Sequence, residues 1–333
     1  MKINMPFDTA PASFAAPSIY QHTLARLVDL SDVGLHSGCT VNMRLRPAEV
    51  DAGVIFIRTD MPAGQAVIPA RWDHVIDTRL ATLICNEYGA RVSTVEHVMS
   101  ALTGLGIDNC IVEIDNEEVP AMDGSAIKFV EALEKAGRTR QSATRKALQI
   151  LKPVEIVDGP RTAKFMPSCH SSYDVTIDYS ASNATIGRQS AKLDLSQGTY
   201  SREIASARSF NLFEEIEKVW AMGLGKGGSL DNNLIVWGDQ IVNLGGLRYD
   251  NEFARHKLLD AIGDLALCGG PILGAYSAYM TGHALNNQLL RAVFADAANY
   301  RWVDMSDVEL MGLQGMPIPA PMATVPMPRF AFA

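Results

Sequence analysis

The chain has 333 residues, 47% hydrophobic and 20% charged, enough for two domains with sizeable cores and unlike a disordered polymer. Its formal net charge of -8 argues against nonspecific nucleic-acid binding, although a local basic cluster can still hold an anionic small ligand. Five scattered cysteines (Cys39, Cys85, Cys110, Cys169, Cys268), with no CxxC pair, exclude a disulfide scaffold and a cysteine-rich zinc site and fit reduced thiols in a cytoplasmic protein.

Residues 1–17 are expected to form a flexible extension, since Pro6, Asp8, Pro11 and Pro17 interrupt any apolar core of a signal peptide. Strand signals follow at 23–28, 40–46 and 54–58, punctuated by Gly34, Gly38 and Gly53. Ser93 with Glu96 three residues on makes a capping-box pattern. It predicts a helix through His97, Val98, Ala101 and Leu102 that stops near Gly104 or Gly106. A strand at 110–114 and a helix at 125–136, ended by Gly137, complete a first α+β domain over residues 18–140. Residues 138–147 are polar and basic without apolar periodicity and read as a linker. A second α+β domain then spans 141–315, with strands at 148–156, 162–166 and 173–179, a helix at 253–267, a strand at 272–279 and a helix at 284–296. The apolar stretch 261–280 carries Asp264, several glycines and Pro271, which excludes a membrane span. The proline- and methionine-rich tail at 316–333 should lie outside the core.

The two halves share a signature. His97 has Gly104 seven residues on and an apolar strand soon after; His256 has Gly263 seven residues on and another apolar strand. This predicts a duplicated α+β unit, each copy a sheet layered with helices, and packing the copies face to face would bring His97 and His256 together at the domain interface.

In Arg255-His256-Lys257-Leu258-Leu259-Asp260-Ala261-Ile262-Gly263-Asp264 the helical period stacks His256, Asp260 and Asp264 on one face. Alone, such a face reads first as a solvated one. With His97 it becomes two histidines and an aspartate with an open fourth position, the pattern of a catalytic zinc site. Glu96, beside His97, is placed to take a proton from a water there. His283 lies at a glycine turn just before a helix, where an imidazolium would stabilise an oxyanion or protonate a leaving amine, with Asp264 on its other ring nitrogen; a hydrogen-bonded loop histidine is the alternative. His22, His74 and His170 read as surface residues, and His36 as a turn-stabilising one.

Seven segments occur in order: Val33-Gly34-Leu35-His36-Ser37-Gly38, Ser93-Thr94-Val95-Glu96-His97, Leu105-Gly106-Ile107-Asp108-Asn109, Pro120-Ala121-Met122-Asp123-Gly124-Ser125, Ala207-Arg208-Ser209-Phe210, the His256–Asp264 run, and Gly282-His283-Ala284-Leu285-Asn286-Asn287. Over roughly residues 20–310 the chain thereby closely resembles the UDP-3-O-acyl-N-acetylglucosamine deacetylases, zinc amidases of lipid A biosynthesis in Gram-negative bacteria. The resemblance implies His97, His256 and Asp260 as ligands of one Zn2+, with Fe2+ the alternative metal. It implies Glu96 as general base, and His283, oriented by Asp264, as electrostatic partner or general acid. Ser209 stands where the family has a threonine that helps hold the oxyanion; the hydroxyl donor is kept and the rotamer-restricting methyl lost. An insert over about 211–235, with Leu212, Phe213, Ile216, Val219 and Trp220 at helical spacing, would form the passage for the substrate acyl chain. Leu80 would lie at the lip of the site, Phe210 at the sugar or acyl linkage, Lys257 toward the diphosphate and Tyr179 near the uracil. Met280 departs from the family, which has a lysine there for nucleotide recognition; Arg161 is a candidate to compensate.

The expected partner is therefore a small nucleotide-sugar lipid precursor handled by a monomeric enzyme, with no nucleic acid and no integral membrane segment. Two other readings are a deacetylase of a different N-acetylated sugar, to which Met280 points, and a noncatalytic nucleotide-sugar binding homologue.

Overall fold

The computed structural model describes residues 18–195 and 198–308, so the extension at 1–17 and the tail at 316–333 lie outside the described residues. The first half runs β1 (Tyr20–Leu24), β2 (Val28–Val33), β3 (Thr40–Pro47), β4 (Val54–Arg58), β5 (Val67–Pro69), β6 (Val75–Asp77), β7 (Leu83–Cys85), β8 (Arg91–Val92), α1 (Glu96–Gly104), β9 (Cys110–Ile114), α2 (Ile127–Ala136) and β10 (Arg138–Thr144). The second continues with β11 (Lys146–Ile150), β12 (Val154–Asp158), β13 (Arg161–Pro167), β14 (Ser171–Asp178), β15 (Arg188–Asp194), α3 (Tyr200–Glu203), β16 (Phe210–Leu212), α4 (Phe213–Ala221), β17 (Leu234–Trp237), β18 (Gln240–Ile241), α5 (Glu252–Ala266), β19 (Ile272–Tyr279), α6 (His283–Ala295) and β20 (Tyr300–Asp304).

The strand orders match. The first sheet reads β2-β3-β9-β4-β5, with β4 parallel to β9 and every other pair antiparallel. The second, of seven strands, contains β12-β13-β19-β14-β15, again with one parallel pair along that path, β14 and β19; β11 adds a short parallel pairing with β19 and carries β20 antiparallel on its other side. Each half inserts a three-stranded sheet before its long helix, β6-β7-β8 ahead of α1 and β16-β17-β18 ahead of α5. The correspondence extends to a turn the sequence reading did not match. Met122-Asp123-Gly124-Ser125-Ala126 leads into α2 and Met280-Thr281-Gly282-His283-Ala284 into α6, both methionines at left-handed φ (54° and 52°). The fold is α+β with two similar halves.

Strand alternation puts one face of each sheet into the core: Val41, Met43 and Leu45 of β3, Cys110, Val112 and Ile114 of β9, and Tyr173, Val175 and Ile177 of β14 are buried. The helices fill the space between the sheets. α5 packs on α1, on α6 and on β14 and β15, so it is buried nearly all round. Its four polar buried residues recur every fourth position: Glu252 turns to Arg208, His256 and Asp260 meet His97 of α1, and Asp264 meets Thr82 and the start of α6. The crossing is close: a Cβ at Gly263 would overlap the main-chain carbonyl of Glu96. No helix of the described residues is long and apolar enough to cross a membrane.

The structure corrects several local readings. The segment 138–147 is no free linker: β10 pairs antiparallel with β1, from Leu24 opposite Arg138 to Tyr20 opposite Thr144. The first strand signal is split at residues 25–27 between β1 and β2, and 148–156 is split between β11 and β12, where Pro153 cannot donate to a ladder. Ser93 does not cap α1. Its backbone amide donates to the Glu117 carbonyl and its carbonyl accepts from the Val119 amide, in an isolated bridge to the segment after β9, and the Glu96 carboxylate turns to the Thr82 amide instead. His22 is buried rather than at the surface, and the five cysteines are free.

Replacing Gly263 with alanine should push the two helices apart and lower stability by about 1–3 kcal/mol, measured by denaturant unfolding. An unchanged midpoint would mean that the crossing is not tightly packed.

Candidate metal centre and active-site cavity

His97 enters from the first turn of α1, and His256 and Asp260 from α5; all three are at most 6% exposed. The two imidazole rings stand edge to face with centroids 5.2 Å apart. Asp260 Oδ1 lies 3.6 Å from His97 Nε2 and 3.4 Å from His256 Nε2. The α5 period supplies the second pair, and the α1–α5 crossing brings the third donor. His256 Nδ1 lies 3.0 Å from the Ala207 carbonyl, which only accepts, so Nδ1 carries the proton and Nε2 keeps its lone pair toward Asp260.

Electrostatics sharpen the set. Burial, reinforced by His97 and Lys257 and opposed by Asp260, pushes the His256 pKa down to about 3, so its ring is neutral. Burial acts upward on Asp260, but His256, Lys257 and His97 outweigh it and hold the carboxyl well below the usual range. The Lys257 ammonium donates to Asp260 Oδ2 at 3.0 Å and stands 5.6 Å over the Phe210 ring. That leaves Asp260 Oδ1 buried without a hydrogen-bond partner, facing two imidazole nitrogens. An ionised oxygen in that position is costly unless a cation meets it, and the donor atoms lie within 4.8 Å of one another. Two imidazoles and a carboxylate are donors that suit a zinc-type ion.

A second cluster lies beside the first. The Glu96 carboxylate accepts from the Thr82 amide through Oε2 (3.0 Å), and its Oε1 is 3.9 Å from His283 Nε2. Burial raises the Glu96 pKa, with His283 and His97 acting against it. His283, the first residue of α6, sets Nδ1 2.9 Å from Asp264 Oδ2. Asp264 also accepts from Thr82 Oγ1 (2.6 Å) and Asn286 Nδ2 (2.8 Å). Asn286 in turn accepts from the Tyr276 and Thr281 hydroxyls. Burial works against the charged imidazole, yet Asp264 and Glu96 outweigh it and raise the His283 pKa to about 9.

Both clusters open into a cavity of about 520 Å³. Glu96, His97, His256, Lys257, Asp260, His283, Ser209, Phe210, Phe213, Ile216 and Leu80 line it, and Asp264 stands behind His283. Tyr179 does not line the cavity; its ring meets Phe210 from behind, 6.1 Å between centroids. Segment 207–210 is pinned to the start of α5 by Arg208, whose guanidinium and amide both bond the fully buried Glu252. Beyond Phe210 the cavity is apolar, walled by Phe213, Ile216, Val219 and Trp220 of α4 and by Ile235, Trp237 and Val242. Leu80 and Thr94, both on the wall, hold left-handed φ of 64° and 59°. Arg161 stands at the turn before His283: it donates to the Met280 carbonyl at 3.0 Å, its guanidinium lies beside Gly282, and it pairs with Asp158.

Sequence reasoning missed Thr82, which ties Glu96 to Asp264, and gave no role to Asn286 although it stands in the Gly282–Asn287 motif. It also placed His36 only in a turn, whereas His36 lines the cavity. No signal marked Thr82, since its role comes from tertiary contact alone.

Fold and site together define a duplicated α+β protein with a candidate metal centre where its halves meet. The model of the UDP-3-O-acyl N-acetylglycosamine deacetylase family matches residues 21–295. The UDP-3-O-acyl-N-acetylglucosamine deacetylase of Myxococcus xanthus is 46% identical over 298 residues, 89% of this chain and 94% of the relative. That of Photobacterium profundum is 44% identical over 292 residues, 88% of this chain and 96% of the relative. The chain belongs to the UDP-3-O-acyl N-acetylglycosamine deacetylase family, and is a hydrolase.

In metal-free protein the His283 imidazole should titrate near 9, read by NMR, and Asp264→Asn should bring that value down. Because the folded value is raised, the stability it contributes is complete below about 6.5 and lost as pH rises through about 9. An imidazole titrating at or below 6.5 would remove the charged group from the site.

Proposed function

We propose that the protein is a zinc-dependent deacetylase that removes the N-acetyl group of a UDP-3-O-acyl-N-acetylglucosamine, releasing acetate and a free amine, in the cytoplasmic route to lipid A, at its committed step. The observation that carries this reading is Asp260 Oδ1, buried, unpartnered and faced by two imidazoles at the polar end of an otherwise apolar cavity. His97, His256 and Asp260 would hold the ion. When bound, it would supply Lewis-acid polarisation of the amide carbonyl and a more acidic water.

The remaining chemistry belongs to the chain. Glu96, whose burial raises its affinity for a proton, takes the proton of the attacking water at a carboxylate oxygen. His283, charged at neutral pH, faces the negative charge that develops on the carbonyl oxygen and needs no reorganisation to do so. The Ser209 hydroxyl on the cavity wall is a further donor toward that oxygen. The amine leaves with a proton from Glu96 or from His283, which stand 3.9 Å apart and share the same approach. The acyl chain lies along the α4 wall. Lys257 stays an anion-binding candidate while bonded to Asp260, and Tyr179 acts through Phe210, the ring it supports.

Glu96→Gln should lower kcat by about 10²–10⁴-fold with bound zinc unchanged, whereas Asp260→Ala should lose both metal and acetate release. Metal analysis beside a chelator-sensitive acetate assay separates the two. Acetate release by Asp260→Ala at the wild-type rate, with full metal, would end the ligand assignment. Met280, which brings no charge to the turn before His283, favours the reading in which a different N-acetylated sugar is the substrate. Equal rates on nucleotide-linked and free sugars would establish it.

A further inference from the structure

The apolar wall of the cavity belongs to the second half, but its far end is seated on the first. After α4 the chain turns through residues 223–229, and there Gly227 donates its amide to the Leu35 carbonyl at 3.0 Å and Lys226 to the His36 carbonyl at 3.3 Å. The contact is main chain on main chain: a Cβ at Gly227 would overlap the Gly34 carbonyl oxygen. Gly225, Gly228 and Ser229 of this segment line the cavity, as do Leu35 and His36 opposite. The root of the insert is held from the same side, since Ser209 donates its amide to the Gly124 carbonyl at 2.8 Å.

One side chain organises that seat. Glu118 is 2% exposed, and its carboxylate accepts from the amides of His36 and Ser37, both at 2.8 Å, and from the Thr94 hydroxyl at 3.2 Å. Two consecutive amides aimed at one carboxylate fix the turn as rigidly as a bound anion would. Thr94 is itself on the cavity wall and two residues before Glu96. Glu118 also sits where strand-like bridges join Ser93 to it and Gly34 to Pro120, so it stands at the meeting of the 34–38 turn, the 93–96 segment and the 120–124 turn. A buried carboxylate that only held a surface turn would be an expensive choice, because neutral groups can bond two amides without its desolvation.

We propose that Glu118 is a positioning residue for ligand selection: through the His36 turn it fixes the 225–229 wall and so sets how deeply the cavity accepts the apolar chain of its ligand. This rests on the reading of the α4 wall as an acyl passage. His36 is the second consequence. It lines the cavity and both its ring nitrogens are buried, so the turn that Glu118 holds also fixes where this imidazole sits in the wall.

The test compares the metal-loaded full-length protein with Glu118→Gln, which keeps the shape but turns one acceptor oxygen into a donor facing an amide. Two readouts are taken. One is binding of a long-chain fatty acid carrying a terminal fluorophore. The other is the dependence of KM on acyl length for the nucleotide sugar. The variant should bind the probe roughly tenfold more weakly and lose length discrimination, while kcat on a short-acyl substrate stays within about twofold and Glu118→Asp recovers part of the loss. Gly227→Ala disturbs the same seat from the opposite side and should reproduce the pattern; it decides the matter if Glu118→Gln does not fold. Unchanged probe affinity and length dependence in a folded variant would overturn the proposal, as would a wild-type protein that does not bind the probe. Absence of acetate release from the wild type would instead sink the deacetylase reading and leave the probe comparison standing.

Discussion

Where α5 crosses α1, Gly263 lies against the main-chain carbonyl of Glu96, and the missing side chain lets the two helices approach at backbone contact. That distance decides what the polar residues nearby can do. At a normal helix separation, His97 would not come within reach of an α5 carboxylate, and Glu96 would face water rather than His283. At this separation the polar face of α5 meets the first turn of α1, and two clusters form side by side: one with an unpartnered oxygen that calls for a cation, one with a charge that the protein supplies itself. The duplication gives the arrangement its symmetry. Helices at equivalent places in the two halves meet, each carrying a histidine seven residues before a glycine.

The same crossing explains why polar residues tolerate this burial. Asp264 is satisfied by Thr82, His283 and Asn286, and Asn286 by Tyr276 and Thr281, so a connected network surrounds the carboxylate that bonds His283. Members of such a network hold one another's rotamers, which keeps the imidazolium in place without a ligand to order it. The contrast with Asp260 is chemical. Asp264 has three donors and no open direction, whereas Asp260 has Lys257 on one oxygen and nothing but imidazole nitrogens before the other.

How much of this was legible follows from which forces leave a period in the chain. The α5 face was, because a helix repeats at a spacing that puts His256, Asp260 and Asp264 in line. The meeting of His97 with His256 was, because duplication leaves the same offset to glycine in both halves. β10 was not: its side chains are half-buried or exposed in no regular alternation, with Ala143 its one apolar member, and it is held by backbone pairing with β1, which composition does not record. The Ser93 cap failed because a local motif competes with tertiary partners, and here Glu96 found Thr82. Thr82 and Glu118 were invisible for the same reason. Each is an ordinary polar residue whose partners lie far along the chain.

The pairing of β1 with β10 also constrains how the protein is made. β1 emerges from the ribosome early, yet its partner strand is translated only after the whole of the first sheet and α2, so the first half cannot close until its last residues appear. Even then the face of α1 that carries Glu96 and His97 has no cover, because α5 comes more than a hundred residues later in the chain. The nascent first half must therefore keep a polar-studded but largely apolar helix face in water until the second half docks, an interval in which it is open to misassembly and to chaperones. The candidate donor set of His97, His256 and Asp260 draws on both halves, so it is complete only at docking, and an ion held there would mark a chain that has finished folding.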